Sequence, residues 1–259
     1  MKDLTLKKLL DKIICCLLVL FATPILAVNA HFYLTGSLAT SQVTLSKRSP
    51  QIVYYGNLIT DAYPLQKRDE RSEIFGFTGG YEFANINCYG PKIALGLGFY
   101  ASLSDFTYQG QLIETTLGDP SIPLYGYQFH LISRRLLVDA QFTWMVKQLA
   151  TFINVGAGPS WNRLKDYQEK ISGMNYPPLP AFQSRTNNQF AYQLGFGVGY
   201  PFHLVSQRLP KQSEQISLAY RYVALGHGSF GNRGDVYPYS LKFGNLYSQE
   251  IAFIYTYFF

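Results

Sequence analysis

The sequence predicts an all-β fold, a closed antiparallel transmembrane β-barrel, and three observations predict it. Long segments alternate large apolar side chains with small or polar ones. Aromatic residues make up 16% of the chain and charged residues 15%, against about 25% charged in ordinary soluble domains. After residue 30, no apolar stretch approaches the roughly 20 residues of a membrane helix. A closed barrel would instead satisfy every backbone group within lipid.

The alternation is clearest between Phe190 and Tyr200. Even positions there carry Phe, Tyr, Leu, Phe, Val and Tyr, whereas odd positions carry Ala, Gln and three Gly. Successive side chains of a strand point to opposite faces, so one face is large and apolar and the other is small or polar. A soluble sandwich or lipocalin would turn its polar face to bulk water. Here the glycine-rich face suits the interior of a narrow barrel, which leaves the apolar face for lipid.

Eight segments have the length that a spanning strand needs, about 9 to 11 residues or more. They cover residues 31–40, 72–84, 91–106, 124–144, 150–163, 187–202, 214–226 and 245–259. The shorter links are 85–90, 145–149 and 203–213, and the longer ones are 41–71, 107–123, 164–186 and 227–244. Short turns on one side and long loops on the other predict the outer-membrane arrangement, with both termini on the periplasmic side.

The segment 124–144 changes its outward parity. Large apolar residues occupy odd positions up to Leu131 and even positions from Leu136 onward. A β-bulge near residues 133–135 within one strand would explain the change. A hairpin turn at the same place would also explain it, and residues 51–59 would then supply a tenth strand. Eight strands are favoured, with ten as the alternative, because single-chain barrels have even strand numbers.

Residues 1–30 have the order of a secretory signal peptide. Lys7, Lys8 and Lys12 precede the apolar run 13–26, and Val28 and Ala30 then supply small residues at the two positions that a signal peptidase reads. The run is too short to span a bilayer as a helix, so we expect cleavage before His31 and a mature barrel domain of residues 31–259. A retained N-terminal anchor is the alternative. Cleavage would leave Cys88 as the single cysteine, without a disulfide partner.

Charge and motifs argue against nucleic acid and cofactors. The precursor has a formal charge of +6, and its first 30 residues contain four Lys and two Asp, so the mature chain keeps +4. This modest excess does not predict nucleic-acid binding. The glycines at 195, 197 and 199 lie inside an alternating strand with no helix after it, so no dinucleotide site is expected. Cys88 has no Cys or His at metal-ligand spacing, and no metal is expected.

The C-terminal strand carries the most specific pattern. Its outward face is apolar and aromatic, and consists of Ile251, Phe253, Tyr255, Tyr257 and Phe259. With this strand and the segments 154–158, 192–200, 220–222 and 241–244, the chain resembles small outer-membrane surface barrels of the OmpA and OmpX type. It resembles most the uncharacterised surface barrels of intracellular gamma-proteobacteria. The resemblance covers essentially the whole mature chain and implies an outer-membrane location, with the five residues read as an assembly signal by the barrel assembly machinery.

Four charged residues fall on the inward parity, and these are Glu82, Asp139, Arg221 and Glu250. Arg221 and Glu250 lie at similar distances from the link 227–244, so we expect them to pair across the last hairpin. Unpaired charges are costly in a confined interior, so the four residues are interpreted as a polar network that plugs the lumen. A proton or ion pathway is the alternative interpretation.

An enzymatic role would require a group of catalytic side chains at the outer rim. His130 and His227 are the candidates, with Ser229 and Asp235 near His227 in sequence. Barrel enzymes that act on lipid A and the omptin proteases use such residue types. The glycines around His227 also indicate an ordinary flexible loop. We therefore predict no catalytic residues.

With no catalytic, cofactor or metal site expected, we assign the function to the long loops. Residues 41–71 and 164–186 are rich in Lys and Arg, and the second also contains a proline-rich stretch at 176–180. Such loops suit contact with the anionic lipopolysaccharide surface, or with a host or envelope protein. The sequence thus predicts a non-enzymatic surface barrel with a structural, adhesion or interaction role. A barrel enzyme acting on lipid A or surface peptides is the alternative, and a small-solute pore is the third possibility.

Overall fold

The computed structural model describes residues 30–46, 51–54, 59–66, 69–83, 91–116, 122–171, 182–202, 213–232 and 239–259. The described residues form eleven strands: β1 (Ala30–Leu45), β2 (Gln51–Tyr54), β3 (Ile59–Ala62), β4 (Asp69–Phe83), β5 (Lys92–Ser102), β6 (Phe106–Thr116), β7 (Ile122–Val146), β8 (Leu149–Ile171), β9 (Arg185–Phe202), β10 (Ser213–Ser229) and β11 (Lys242–Phe258). Within these ranges, no helix is long and apolar enough to cross a membrane. Except for Ala30, the predicted signal peptide lies outside the described residues.

Eight of the strands close into a ring. Each pairs antiparallel with its neighbours in the order β1, β4, β5, β7, β8, β9, β10, β11, and β11 pairs back with β1 from Tyr33–Phe258 to Leu45–Leu246. The prediction of eight strands rather than ten is confirmed. The predicted turn at 145–149 is also a tight one, in which Lys147 adopts a positive φ of 57° between β7 and β8.

The other three strands continue ring strands on the side of the long links. β5 and β6 pair with successive parts of the same strand, β7. Ala101 of β5 pairs with Arg134, and Phe106 of β6 then pairs with Leu131. β3 pairs with β6, and β2 pairs with β3. The sheet thus extends past the ring as five neighbouring strands, β2, β3, β6 and the outer ends of β7 and β8. We call this extension the extracellular wall.

The wall corrects the prediction that residues 41–71, 107–123, 164–186 and 227–244 are loops. Strand β6 lies within the second of these links, and β7 and β8 reach 25 and 23 residues in length. About 9 to 11 residues suffice to cross the bilayer, so more than half of β7 and β8 lies beyond it. Residues 51–54, considered for a tenth barrel strand, do form a strand, but it belongs to the wall and not to the ring.

The apolar face of the ring points outward, as predicted. Phe99 on β5, Leu194 on β9 and Ile251 on β11 keep 42%, 57% and 61% of their surface exposed, while the residues between them are mostly buried. The inner face is narrow enough to require glycine. A Cβ at Gly98 or at Gly156 would collide with the carboxylate of Asp139. A closed ring with an apolar exterior belt and a packed polar interior is a transmembrane β-barrel.

The predicted parity change in β7 is wrong. Odd positions are buried along the strand, from Tyr127 and Phe129 through Ser133 to Asp139, so no bulge is needed near residues 133–135. The outward face is apolar where β7 crosses lipid, and the inward face is apolar where β7 stands in water. The register shift between β7 and β8 instead lies between Gln128 and His130. It is caused by an extra residue in β8 at Asp166, whose φ is 53°.

The assignment of the two faces predicts the outcome of placing charge in lipid. Leu194→Arg puts a cation near the middle of the six apolar residues that β9 presents to the membrane, and should lower the free energy of unfolding by about 2 to 4 kcal/mol. Asn188 lies on the same face of β9 and is exposed beyond the last of these apolar residues. Asn188→Arg should change stability by less than about 0.5 kcal/mol. Urea titrations of the barrel in lipid vesicles compare the two variants, and equal losses would mean that the faces are assigned wrongly.

Candidate functional site

The centre of the lumen is crossed by a buried ion pair. Nη2 of Arg135 lies 2.8 Å from Oε2 of Glu250, and the two side chains are 2% and 0% exposed. Arg135 lies on β7 and Glu250 on β11, and three strands separate these two on either side of the ring. The pair therefore joins opposite walls of the barrel. Ser248 donates a second hydrogen bond to Glu250, at 3.0 Å, and lies 2.7 Å from Ser41 of β1.

The expected pairing of Arg221 with Glu250 is wrong. The two residues are register partners on neighbouring strands, yet the ion pair of Glu250 in the described structure is with Arg135. The carboxylate of Glu250 is instead engaged by Arg135 and Ser248, and Arg221 projects toward the lumen centre. There its guanidinium lies 5.2 Å from the centre of the Tyr100 ring.

Tyr100 organises the rest of the cluster. Its ring also lies 4.6 Å from the guanidinium of Arg135, so two cations contact one aromatic ring. Its hydroxyl donates a hydrogen bond of 2.8 Å to Oδ2 of Asp139. Two arginines and two carboxylates thus surround Tyr100, and their formal charges cancel. Cation–π contacts of this kind contribute about 2 kcal/mol or more where water is excluded.

Glu82 also faces inward but takes no part in an ion pair of this central cluster. Its Oε1 lies 3.0 Å from Nζ of Lys92, whose side chain is half exposed where β5 begins. The four residues predicted as one lumen network therefore divide into a central group and a pair at the periplasmic end. Sequence reasoning missed Arg135. The signal was present, because Arg135 shares its parity with Asp139 four residues later on β7.

A small cavity lies between the central cluster and the periplasmic end. Its volume is about 40 Å³, and its lining includes Tyr33, Thr78, Asn154 and Gln215 as well as Arg221. This space suits two or three water molecules. Among the described atoms, Nε and Nη1 of Arg221 and Oδ1 of Asn154 make no hydrogen bond within the protein. The cavity is therefore a polar pocket closed from above by the central cluster.

Aromatic rings fill the interior beyond the ion pair. Phe129 lies 4.7 Å from Phe243, and Tyr167 lies 4.9 Å from Phe182, as distances between ring centres. The whole group, which we call the aromatic cap, consists of Tyr63, Tyr108, Tyr127, Phe129, Tyr167, Phe182, Phe230 and Phe243. Every member is buried. The cap closes the extracellular end of the lumen.

Local backbone features hold the cap in place. The bulge at Asp166 changes the parity of β8, so Tyr167 points inward next to Tyr127. The segments 182–183 and 230–231 flank β9 and β10 and pair with each other through Gln183 and Gly231, and the rings of Phe182 and Phe230 stack 6.1 Å apart. The hydroxyl of Tyr127 donates to the carbonyl of Tyr63 at 2.8 Å. These contacts tie the extracellular wall to the outer ends of β9 and β10.

Two carboxyl groups of the wall have altered proton affinities. Burial raises the pKa of Asp61 to about 6, and the charge of Glu114, its register partner on β6, adds to the effect. Burial also raises the pKa of Glu169 above its usual range, although a hydrogen bond from Tyr167 acts in the opposite direction. Because the pKa of Asp61 is raised in the folded state, its contribution favours folding at acidic pH and is lost as the pH rises through about 6.

The candidate catalytic side chains do not come together. His130 lies on the outer face of β7, where Nδ1 is 3.0 Å from Oγ1 of Thr107. His227 is exposed on β10, and two strands separate β10 from β7 in the ring. Ser229 donates to Oδ1 of Asn187 at 2.7 Å. Asp235 lies outside the described residues. Across the described part of the chain, no group of three His, Cys, Asp or Glu could hold a metal ion.

The C-terminal strand closes the ring. Ile251, Phe253, Tyr255 and Phe259 are exposed on its outer face, and Tyr257 follows the same parity. The backbone N–H of Phe259 donates to the carbonyl of Phe32 at 2.8 Å, and their rings are 5.4 Å apart. The predicted assembly residues are thus arranged as one lipid-facing stripe at the seam between β11 and β1.

Of the basic residues predicted to line the loops, several lie outside the described residues, among them those at 47, 48, 67 and 68, and the proline-rich stretch 176–180 lies there as well. Arg71 is exposed at the outer end of β4. Lys165 on β8 pairs with Asp105 at 2.9 Å and with Asp166 at 3.4 Å. The described basic residues therefore stand on strands, not on loops.

No protein-family model and no curated protein sequence matches the chain. Among solved structures, the chain is similar to Neisserial surface protein A, with 11% identity, a TM-score of 0.41 and coverage of 88% of this chain and 97% of that one. It is also similar to the outer-membrane protease OmpT from Escherichia coli, with 8% identity, a TM-score of 0.41 and coverage of 89% and 96%. A third is OprG from Pseudomonas aeruginosa, with 12% identity, a TM-score of 0.37 and coverage of 89% and 97%. No function is transferred at these values.

The geometry itself defines the class of protein. The ring is closed, the exterior belt is apolar and the interior is packed, and the described tight turn lies at the opposite end from the strand extensions. These are the properties of a bacterial outer-membrane β-barrel. The chain is such a barrel, with eight strands and a lumen that two side-chain clusters close.

The cross-lumen ion pair predicts a strong asymmetry between single and double substitutions. Arg135→Met leaves the carboxylate of Glu250 buried without its partner, and should cost about 3 to 5 kcal/mol. Combining it with Glu250→Met removes both charges and should recover most of that loss. Lys92→Met breaks the half-exposed pair with Glu82 and should cost no more than about 1 kcal/mol. Urea titrations in lipid vesicles measure all of these, and strictly additive costs in the double variant would contradict the ion pair.

Proposed function

We propose that the protein is a non-enzymatic surface barrel whose role, structural, adhesive or interactive, is carried by its extracellular side. The observation that carries the proposal is that the lumen of the barrel is filled, while its strands extend far beyond the membrane on the extracellular side. A buried ion pair and an aromatic cap fill the lumen, whereas five neighbouring strands rise beyond the membrane. Such a molecule is better suited to making contacts through its extracellular surface than to passing solutes through its lumen.

The regions 41–71 and 164–186 supply much of that surface. They include the ends of β1 and β8, all of β2 and β3, and the exposed Arg71. Extracellular strands with tyrosine and arginine suit contact with a host or envelope protein. Basic side chains in the same regions suit the anionic lipopolysaccharide around the barrel. We propose both kinds of contact for these regions.

The rival functions receive less support. A small-solute pore needs a continuous water path, whereas the space near Arg221 is about 40 Å³ and lies below the Arg135–Glu250 pair. An enzyme acting on lipid A or surface peptides needs convergent groups, whereas His130 and His227 lie on strands separated by two others. His130→Ala and His227→Ala should leave lipid A composition and surface proteolysis unchanged, and a change in either would favour the enzyme.

A shortened wall tests the contact role. Strand β1 already pairs with β4 at Thr44 and Asp69, so residues 47–67 can be replaced by Asn-Gly without breaking the ring. Barrels in nanodiscs are displayed on beads, and bead adhesion to cultured host cells is counted. The wild type should adhere several-fold more than empty nanodiscs, and the shortened variant should lose this excess.

The matched control shortens the opposite end of the barrel. Phe202 pairs with Glu214, so the periplasmic link between β9 and β10 can be cut to a two-residue turn. This variant should adhere like the wild type, and both variants should keep the heat-modifiable gel migration of a folded barrel. Equal adhesion of wild-type beads and empty nanodiscs would contradict an adhesive role. Planar bilayer recordings of the wild type complete the test, because a large, steady conductance would favour the pore.

We also propose that Ile251, Phe253, Tyr255, Tyr257 and Phe259 act as the signal for the barrel assembly machinery. Deletion of Phe259 should leave export intact but reduce the outer-membrane yield strongly, with periplasmic accumulation or degradation. Phe259→Tyr keeps an aromatic terminus and should be mild. Fractionation of cells with heat-modifiable gel migration measures both variants. An unchanged yield after the deletion would rule out this role for the terminal residue.

A further inference from the structure

The outer face of β7 and β8 changes character abruptly where the strands leave the lipid. Leu136 and Val138 face the membrane on β7, and Arg134 is exposed two residues further along the same face. On β8, Trp161 is the register partner of Arg134. Arg163 follows two residues later and is exposed as well. The boundary between apolar and basic side chains therefore runs across both strands at one level.

The two arginines are close enough to hold one anionic group. Arg134 and Arg163 are diagonal neighbours on paired strands, because Arg134 pairs with Trp161 and Arg163 pairs with Ile132. Side chains in this relation start about 7 to 8 Å apart, which long arginine side chains bridge easily. Guanidinium groups bind phosphate oxygens in a bidentate manner, and two of them can grip a single phosphate from both sides.

The nearby acidic groups leave both arginines available. Lys165, two residues after Arg163 on β8, engages Asp105 at 2.9 Å and Asp166 at 3.4 Å. Within the described part of the chain, neither Arg134 nor Arg163 forms an ion pair. With Lys165, Asp105 and Asp166 included, the patch has a net formal charge of +1, and it presents both guanidinium groups beside the lipid belt.

Apolar surface continues directly below the charges. Phe99 lies beside Leu136 in the ladder of β5 and β7, and Phe190 lies beside Pro159 in that of β8 and β9. These residues face lipid and would contact acyl chains that hang from a headgroup at the level of the arginines. The ligand that fits has phosphate above and several acyl chains below. A chain that spans the outer membrane meets such a molecule in the outer leaflet, as the phosphorylated glycolipid lipid A.

We infer that Arg134 and Arg163, with Trp161 between them, form a binding site for a phosphate group of lipid A on the outer wall of the barrel. The acyl chains of the bound lipid lie along Leu136, Val138 and Phe190. The site rests on the position of these residues at the membrane boundary, and not on the proposed contact role of the wall. Either can therefore fail without the other.

Trp161 provides a reporter at the site. The chain has two tryptophans, and Trp144 lies near the tight turn at the opposite end of β7. A Trp144→Phe background leaves Trp161 as the single emitter. The purified barrel in detergent is titrated with lipid A that carries two phosphates, with the same lipid after removal of both phosphates, and with phosphatidylglycerol. A saturable change in Trp161 emission gives a dissociation constant for each lipid.

The wild-type barrel should bind phosphorylated lipid A tightly. The dissociation constant of Arg134→Gln/Arg163→Gln should be at least about tenfold higher, because two charge-assisted contacts are lost. The matched control is Lys147→Gln/Lys242→Gln, which removes the same charge from exposed residues at the turn between β7 and β8 and on β11. Its dissociation constant should stay within about twofold of the wild type. All substituted side chains are exposed, and heat-modifiable migration verifies that each variant is folded.

Three results would overturn the assignment. Equal weakening in the two double variants would reduce the effect to net charge. Equal affinity for lipid A with and without phosphates would remove the phosphate from recognition. Equal affinity for phosphatidylglycerol would make the patch a general contact for anionic lipid, and not a site for lipid A.

Discussion

Closure of the ring between β1 and β11 is the constraint on which the rest of the structure depends. Lipid offers no hydrogen bonds, so a sheet can cross it only if both edges are paired. The first and last strands meet over thirteen register pairs, and the backbone of Phe259 adds a bond to Phe32 at the end. Closure with eight strands also sets the width of the interior, which leaves room for side chains and little more.

That width determines the chemistry of the lumen. Because opposite walls are within reach of one arginine, Arg135 can pair with Glu250 across the barrel, and the pair acts as a strut between β7 and β11. Charges so deeply buried are tolerated only when they are compensated, which explains why two arginines and two carboxylates gather around Tyr100. Glycines on the neighbouring strands make room for Asp139. Between the described strands, the interior is therefore packed as a polar core.

The sequence predicted the membrane half of this fold better than the extracellular half. Leu194 and Ile251 could be assigned to lipid because glycines and small residues mark the opposite face. Tyr127 and Phe129 were assigned to the outside, yet they form the aromatic cap. The alternation keeps its period of two along β7, but the apolar face is the outer one in lipid and the inner one in water. The alternation of side chains alone does not show at which residue a strand passes from lipid into water. Partners across the lumen are equally hidden, because they depend on the position of each strand in the ring.

The continuity of β7 and β8 through both solvents gives the outer surface its functional character. The change from Leu136 to Arg134 takes two residues of one strand, so the boundary between lipid and water is fixed by backbone geometry and not by a loop. The wall above it shares its hydrogen-bond ladders with the barrel and its aromatic core with the outer ends of β10 and β11. The ladders fix the backbone positions from which the outer side chains project. Binding to a surface with an ordered backbone loses less conformational entropy than binding to a flexible loop, and the proposed contact role rests on this difference.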